Sequence, residues 1–104
     1  MSRYRLSRSA RKDLEEIWFA AATKESVDFA TGVIDEISQR FPMLAGMPGS
    51  GRLRPEIDPD LRSFPVGDYI IYYRKPRRGE VQISGVLHGK RNQLKAIRGA
   101  KGLQ

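Results

Sequence analysis

The stretch Tyr69-Ile70-Ile71-Tyr72-Tyr73-Arg74 is the clearest structural signal in the sequence, because every position before its final arginine is apolar or aromatic. Such a continuous run is typical of a central strand that is buried on both faces. Leu61 to Val66 is a strand candidate before it, and Gly67-Asp68 between them is a hairpin-turn pair, although Asp-Gly would be the stronger order. Pro65 favours a sheet edge or a strand end for this candidate, since proline donates no ladder hydrogen bond.

A third strand is predicted to follow, from Val81 to Leu87, after the turn residues Pro76 to Gly79. The apolar side chains expected on one of its faces are Val81, Ile83 and Leu87. Beyond this strand, Asn92 can cap a short final helix that contains Leu94 and Ile97. Residues 99–104 are expected to form a flexible tail.

Before the sheet, the chain predicts one short strand and two helices. Tyr4-Arg5-Leu6 is the strand, and Ser7 or Ser9 can cap the helix after it. Thr23 is the expected cap of the second helix, so that Ala22–Lys24 joins the two in a hairpin. The apolar residues at helical spacing are Ala10, Leu14, Ile17, Trp18 and Ala21 in the first helix and Ala30, Ile34, Ile37, Phe41 and Leu44 in the second. Pro42 is expected to end or kink the second helix near Phe41.

The order strand, two helices, three strands, short helix predicts an α+β fold. In it, a helical hairpin covers one face of a small, mostly antiparallel sheet. The length of 104 residues fits a single domain spanning 1–104.

Charge is unevenly distributed along the chain, whose net charge is +7. Residues 1–12 sum to +5, 13–36 to −6, 37–69 to 0 and 70–104 to +8, which together give +7. A basic C-terminal third beside an acidic middle indicates a face that binds nucleic acid or an acidic protein. The alternative is that these charges only keep a small protein soluble.

Several functional classes are disfavoured by the same sequence. It holds no cysteine, which excludes disulfides and thiolate metal sites. Gly49-x-Gly51 lacks the lysine and hydroxyl of a phosphate loop, and neither a metal site nor a cofactor is predicted. No apolar run is long enough to span a membrane, and no apolar segment follows the basic residues of Met1–Lys12 to make a secretory signal. The cytoplasm is therefore the expected location.

Four blocks of sequence, in order, resemble ParE-type toxins of the ParE/RelE superfamily. The opening is Tyr4-x-Leu6-Ser7-x-x-Ala10-x-x-Asp13-Leu14-x-x-Ile17, and the loop is Met47-Pro48-x-x-Gly51-Arg52. Leu61-Arg62 then precedes Val66-x-x-Tyr69-x-Ile71-x-Tyr73-Arg74. The last block is Val86-Leu87-His88-Gly89-x-Arg91-Asn92, where the family more often has aspartate in place of Asn92.

The resemblance implies a βααβββ fold and the role of toxin in a type II toxin–antitoxin system. The implied partner is a cognate, ParD-like antitoxin that forms a hetero-oligomer with the toxin. The implied target is DNA gyrase, which ParE-like members poison, or the ribosome, on which RelE-like members cut mRNA. One scaffold hosts both activities, so the fold does not decide between them.

A nuclease of the RelE type would need an acid, a base and positive charge around the phosphate. His88, the only histidine, could serve as the acid or base, with Arg62 and Arg91 on the phosphate. The alternative for His88 is a structural role at a strand end. No tyrosine follows Tyr73 and no second catalytic group is evident, so a non-enzymatic gyrase inhibitor is the favoured interpretation.

For that inhibitor, the expected target contacts are basic residues of the C-terminal third. They are Arg74, Arg77, Arg78, Lys90 and Arg91. The antitoxin is expected to wrap the hairpin and the sheet edge, with contacts at Trp18, Arg52 and Arg62. The alternatives are a core role for Trp18, an ion pair with the hairpin for Arg62, and a solvated turn for Arg77 and Arg78. Tyr69, Tyr72 and Tyr73 could stack on bases, but a core role is the commoner one in a central strand.

Overall fold

The computed structural model describes residues 3–89, and within them the chain forms a five-stranded sheet with three helices. The elements are β1 (Tyr4–Leu6), α1 (Arg8–Lys24), α2 (Val27–Ser38), α3 (Arg40–Gly46), a 3-10 turn (Pro48–Ser50), β2 (Arg52–Leu53), β3 (Leu61–Val66), β4 (Tyr69–Arg74) and β5 (Val81–His88). The strand order is β1-β5-β4-β3-β2. The predicted α+β fold is confirmed. The helix predicted after Asn92 and the tail from residue 99 lie outside the described residues.

The aromatic strand lies at the centre of the sheet, as predicted. β4 pairs antiparallel with β3 on one side and with β5 on the other, whereas β1 pairs parallel with β5. The Gly67-Asp68 turn is confirmed, with Gly67 at a φ of 58° at the first central position, where a II′ hairpin turn favours glycine. β2 pairs only with Arg62 and Ser63, so Pro65 lies on an uncovered edge of β3.

The main core lies between the helices and one face of the sheet. It contains the fully buried side chains of Ala10, Ile37, Phe41, Leu44, Ile71, Tyr73 and Ile83. A smaller cluster of Ile57, Leu61 and Tyr72 covers the opposite face. The segment 54–60, which carries Ile57, therefore packs on the sheet, and this is why β4 is apolar on both of its faces.

The prediction that Val81, Ile83 and Leu87 lie on one face of β5 is wrong for Leu87. Tyr72 pairs with Gly85 and Tyr73 with Ile83, so Ser84 is an extra residue in β5. This β-bulge reverses the alternation beyond it. Val86 consequently joins the main core, and Leu87 packs against the smaller cluster.

The helix boundaries differ from the predicted ones at two places. Ser7 caps α1 as expected, but Thr23 lies inside α1, with its hydroxyl bonded to the Phe19 carbonyl at 2.8 Å. Ser26 caps α2 instead, because its side chain accepts the N–H of the third residue along.

The second predicted helix is broken at Gln39, before Pro42 rather than at Phe41. Pro42 lies in the first turn of α3, where a backbone N–H has no helical partner to lose. Breaking the helix at Gln39 thus lets the chain accommodate proline without losing an internal hydrogen bond.

Candidate functional site

A cleft of about 690 Å³ opens between the helical hairpin and one end of the sheet. We call it the hairpin groove. Its apolar walls come from both layers, and include Ile17, Val33, Ile37, Val66 and Val86. His88 lies at the end of the sheet that closes this cleft. The groove is large enough to take side chains of another polypeptide segment.

The hairpin groove is acidic. Its charged lining comprises five carboxylates, from Asp13, Glu16, Glu25, Glu36 and Asp68, and one ammonium, from Lys24. Four of the seven acids in residues 13–36 therefore line one cleft, and Asp68 joins them from the sheet. A cationic ligand is the natural complement of such a lining.

Trp18, one of the expected antitoxin contacts, does not line this cleft. Its Nε1 donates to the Thr31 Oγ at 3.4 Å, in an exposed contact between α1 and α2. The side chain is half-buried. Part of the side chain therefore remains accessible for the antitoxin contact that the sequence predicts.

Two side chains of the opening motif, Ser7 and Asp13, bind the start of α1 to the bulged part of β5. The Ser7 hydroxyl accepts the Ala10 N–H at 3.0 Å and donates to the Ser84 carbonyl at 3.1 Å. One turn further on, Asp13 Oδ2 accepts the Val86 N–H at 3.0 Å. The spacing of this motif thus places two side-chain oxygens on the backbone of one distant strand.

Tyr73 holds the loop motif against the sheet. Its buried hydroxyl accepts the Gly51 N–H at 2.7 Å and donates to the Pro48 carbonyl at 2.7 Å. Arg62 adds a third bond, from its Nη1 to the Gly51 carbonyl at 2.7 Å. A Cβ on Gly51 would overlap the Tyr73 ring and lie 2.8 Å from the Ser63 carbonyl, so only glycine fits there.

Burial raises the pKa of the Tyr73 phenol, and the neighbouring Gly51 N–H opposes this by stabilising the phenolate. Burial also raises the pKa of Tyr72, which Arg54 opposes. Both tyrosines are fully buried, which confirms the core role over base stacking for these two. Tyr69 is only half-buried, and its ring meets the His88 ring edge-on at a centroid distance of 5.2 Å.

Segment 54–60 is tied to the sheet by one ion pair that sequence reasoning missed, and a second ion pair lies within the segment. Arg74 Nη2 lies 3.0 Å from Asp58 Oδ2, and Arg54 Nε lies 2.6 Å from Glu56 Oε2. The hydrogen bond from Arg54 holds the pKa of the exposed Glu56 carboxyl below its usual range. Arg74, one of the expected target contacts, is therefore already engaged within the fold.

Arg77 and Arg78 lie at the tip of the turn between β4 and β5, and both are exposed. Across residues 3–89, neither makes an ion pair or a side-chain hydrogen bond, whereas the nearby Lys75 ammonium donates to the Gly79 carbonyl at 3.0 Å. We call Arg77 and Arg78 the basic tip. It lies at the opposite end of β4 from the hairpin groove.

The residues considered for a nuclease do not converge in the described part of the chain. Arg62 on β3 pairs with Tyr73 of β4, and His88 on β5 pairs with Tyr69 of β4, so the two residues are four residues apart along β4 and two strand spacings apart across the sheet. At about 3.3 Å per residue and about 4.8 Å per strand, their Cα atoms are roughly 16 Å apart. Lys90 and Arg91 lie outside the described residues.

Other classes of site find no support within residues 3–89. No group of three or more His, Asp or Glu side chains in that range could hold a metal ion. In the same range, no helix has the length and apolar character that a membrane crossing requires.

The fold has a counterpart among solved structures. A solved structure described as the chromosomal ParDE TA system from P. aeruginosa has a chain with this fold. The two superpose with a TM-score of 0.74 and 20% sequence identity, over 85% of this chain and 96% of that one.

Sequence comparison identifies the family. Toxin ParE1 of Mycobacterium tuberculosis is 34% identical over 87 residues, which cover 84% of this chain and 89% of the relative. Toxin ParE1 of Caulobacter vibrioides is 33% identical over 92 residues, 88% of this chain and 94% of that one. The family model for the ParE toxin of type II toxin–antitoxin systems, parDE, matches residues 4–93. The chain therefore belongs to the ParE toxin family.

Proposed function

We propose that this toxin inhibits DNA gyrase by binding it and stabilising its cleaved-DNA state, without covalent chemistry of its own. The observation that carries the proposal is the ParE family match, which extends over residues 4–93. The toxin acts in the cytoplasm, where gyrase works on the chromosome. A ParD-like antitoxin neutralises it by forming a hetero-oligomer.

The basic tip supports a contact with gyrase or its DNA. Arg77 and Arg78 are exposed on a turn that projects between two strands, and the fold does not use their guanidinium groups elsewhere in residues 3–89. Exposed loops on a rigid sheet are common sites of recognition. Lys90 and Arg91 extend the proposed contact, and Arg74 contributes least because Asp58 already binds it.

The separation of Arg62 from His88 favours binding over phosphodiester cleavage. General acid–base catalysis requires its groups within hydrogen-bonding reach of one substrate. Arg62 instead donates to the Gly51 carbonyl, and His88 packs against Tyr69 at the far end of β4. We therefore assign no catalytic role to His88, Arg62 or Arg91.

The antitoxin is proposed to cover the β2 edge and the part of the helical hairpin that carries Trp18. Arg52 is exposed on β2, the edge strand, whose outer side pairs with no other strand in the described chain. Trp18 offers a half-buried aromatic surface on the hairpin. Arg62 contributes indirectly, by fixing the loop next to Arg52.

The test is a supercoiling and cleavage assay with purified gyrase and the purified toxin. We expect supercoiling to be inhibited and cleaved DNA to accumulate. Arg77→Ser with Arg78→Ser should weaken both effects by about tenfold or more, in line with the loss of two charged contacts. The matched control is Arg8→Ser with Arg11→Ser, which removes the same charge from exposed positions of α1.

Inhibition that is equal in the tip variant and the control would remove the basic tip from the interface. An absence of any effect on gyrase, from toxin that still binds its antitoxin, would overturn the proposed target. His88→Gln should inhibit gyrase as well as the parent chain does, because its ring has no chemical role in this proposal.

A further inference from the structure

The hairpin groove opens where the chain leaves the described region. His88 lines the groove, and the next residue, Gly89, donates its N–H to the Asp68 carbonyl at 2.7 Å. Asp68 is itself one of the acidic residues of the groove. Residues 90–104 therefore start at the rim of an acidic cleft that also has apolar walls.

The sequence of residues 90–104 is complementary to that cleft. It carries five cations and no acid: Lys90, Arg91, Lys95, Arg98 and Lys101. Leu94 and Ile97 are three residues apart between these cations, a spacing that puts both on one side of a helical turn. The groove offers five carboxylates against a single ammonium, together with apolar walls from α1, α2 and β5.

We propose that residues 90–104 bind in the hairpin groove of their own chain, with Leu94 and Ile97 against its apolar side chains and the cations facing its carboxylates. The segment is tethered at the rim, so its effective concentration at the groove is high. Binding there covers an apolar surface and neutralises a cluster of like charges. It also makes Lys90 and Arg91 inaccessible to any other partner until the segment leaves the groove.

The absence of cysteine from the chain permits a direct test by disulfide trapping in the full-length protein. Ala20→Cys with Ala96→Cys joins an exposed groove residue to the segment and leaves Leu94 and Ile97 intact. Phe19→Cys with Ala96→Cys is the matched control, since Phe19 is 70% exposed on α1 and does not line the groove. The readout is the fraction of intramolecular disulfide at equilibrium in glutathione buffers.

An unbound segment would reach both positions on α1 about equally, because its root-mean-square span from Gly89 to residue 96 is roughly 15 Å. A bound segment should raise the effective concentration of the Ala20 pair at least tenfold above that of the Phe19 pair. A ratio near one overturns the proposal and leaves the groove to another partner. Disulfides that form between molecules instead of within them overturn it in favour of a second copy as the occupant.

The attraction between the cations of the segment and the carboxylates of the groove can be tested separately in the Ala20→Cys, Ala96→Cys protein. Glu16→Gln with Glu36→Gln removes two carboxylates from the groove, and Glu15→Gln with Asp35→Asn removes two from exposed positions next to them. The groove variant should lower the effective concentration several-fold, and the neighbouring variant should leave it unchanged. Equal effects of the two variants would contradict recognition by charge. Neither arm involves gyrase, so these results are independent of the proposed target.

Discussion

Removing the hydroxyl of Tyr73 should release the loop of residues 47–52 from its contact with the sheet. The hydroxyl is fully buried and makes two hydrogen bonds of 2.7 Å, one from the Gly51 N–H and one to the Pro48 carbonyl. Tyr73→Phe leaves both backbone groups without this partner. An unsatisfied buried group costs about 1–3 kcal/mol, and the carbonyl is only partly buried. We therefore expect a loss of about 2–3 kcal/mol in the free energy of unfolding.

Urea unfolding followed by circular dichroism measures this change. For a domain of this size the same loss lowers Tm by roughly 10–20 °C. Tyr69→Phe is the matched control, because Tyr69 lies on the same strand and its hydroxyl has no hydrogen-bond partner in residues 3–89. A loss below about 0.5 kcal/mol in Tyr73→Phe, or one equal to that of the control, would refute the claim that this hydroxyl anchors the loop.

Three further predictions concern the stability of the fold. Gly51→Ala should destabilise the fold by about 1–3 kcal/mol or more, since its Cβ overlaps the Tyr73 ring. Urea unfolding equal to that of the parent chain would show that the loop shifts to accommodate the Cβ without cost. Asp13→Ala should cost about 1–3 kcal/mol, because the Val86 N–H loses its acceptor, and amide exchange at Val86 should quicken; unchanged exchange would contradict this role. Stability should be fully present below the ordinary tyrosine pKa of about 10 and fall as pH rises above it, since burial raises the pKa of Tyr72 and Tyr73 in the folded state. The fall should be shallower in Tyr73→Phe, and parallel curves of stability against pH would count against that assignment.

The order and type of the main elements could be predicted from the sequence because they depend on local patterns. The aromatic run of β4 and the apolar spacing in α1 each reflect burial over consecutive turns or residues. The two-residue strand β2 is too short to give such a pattern. The sequence alone could not identify the residue that caps α2, because Thr23 and Ser26 are both good capping residues and tertiary packing decides between them.

The arrangement of the site could not be predicted in the same way, because it depends on long-range contacts. The β-bulge at Ser84 reverses the faces of Val86 and Leu87, and no local signal marks it. The pairing of Arg74 with Asp58 joins residues 16 apart in sequence across an irregular segment. The acidic character of residues 13–36 was visible in the sequence, but the placement of four of their seven carboxylates around one cleft requires the packing of α1 and α2 on β5.

Whether this toxin acts on gyrase is shown by pulse labelling of DNA and protein synthesis in the minutes after its expression alone in a bacterium. We expect DNA synthesis to fall first, with filamentation and a DNA-damage response. Arg77→Ser with Arg78→Ser should delay that fall, and His88→Gln should leave it unchanged. If protein synthesis falls first while DNA synthesis continues, gyrase is not the target and the toxin acts on the ribosome.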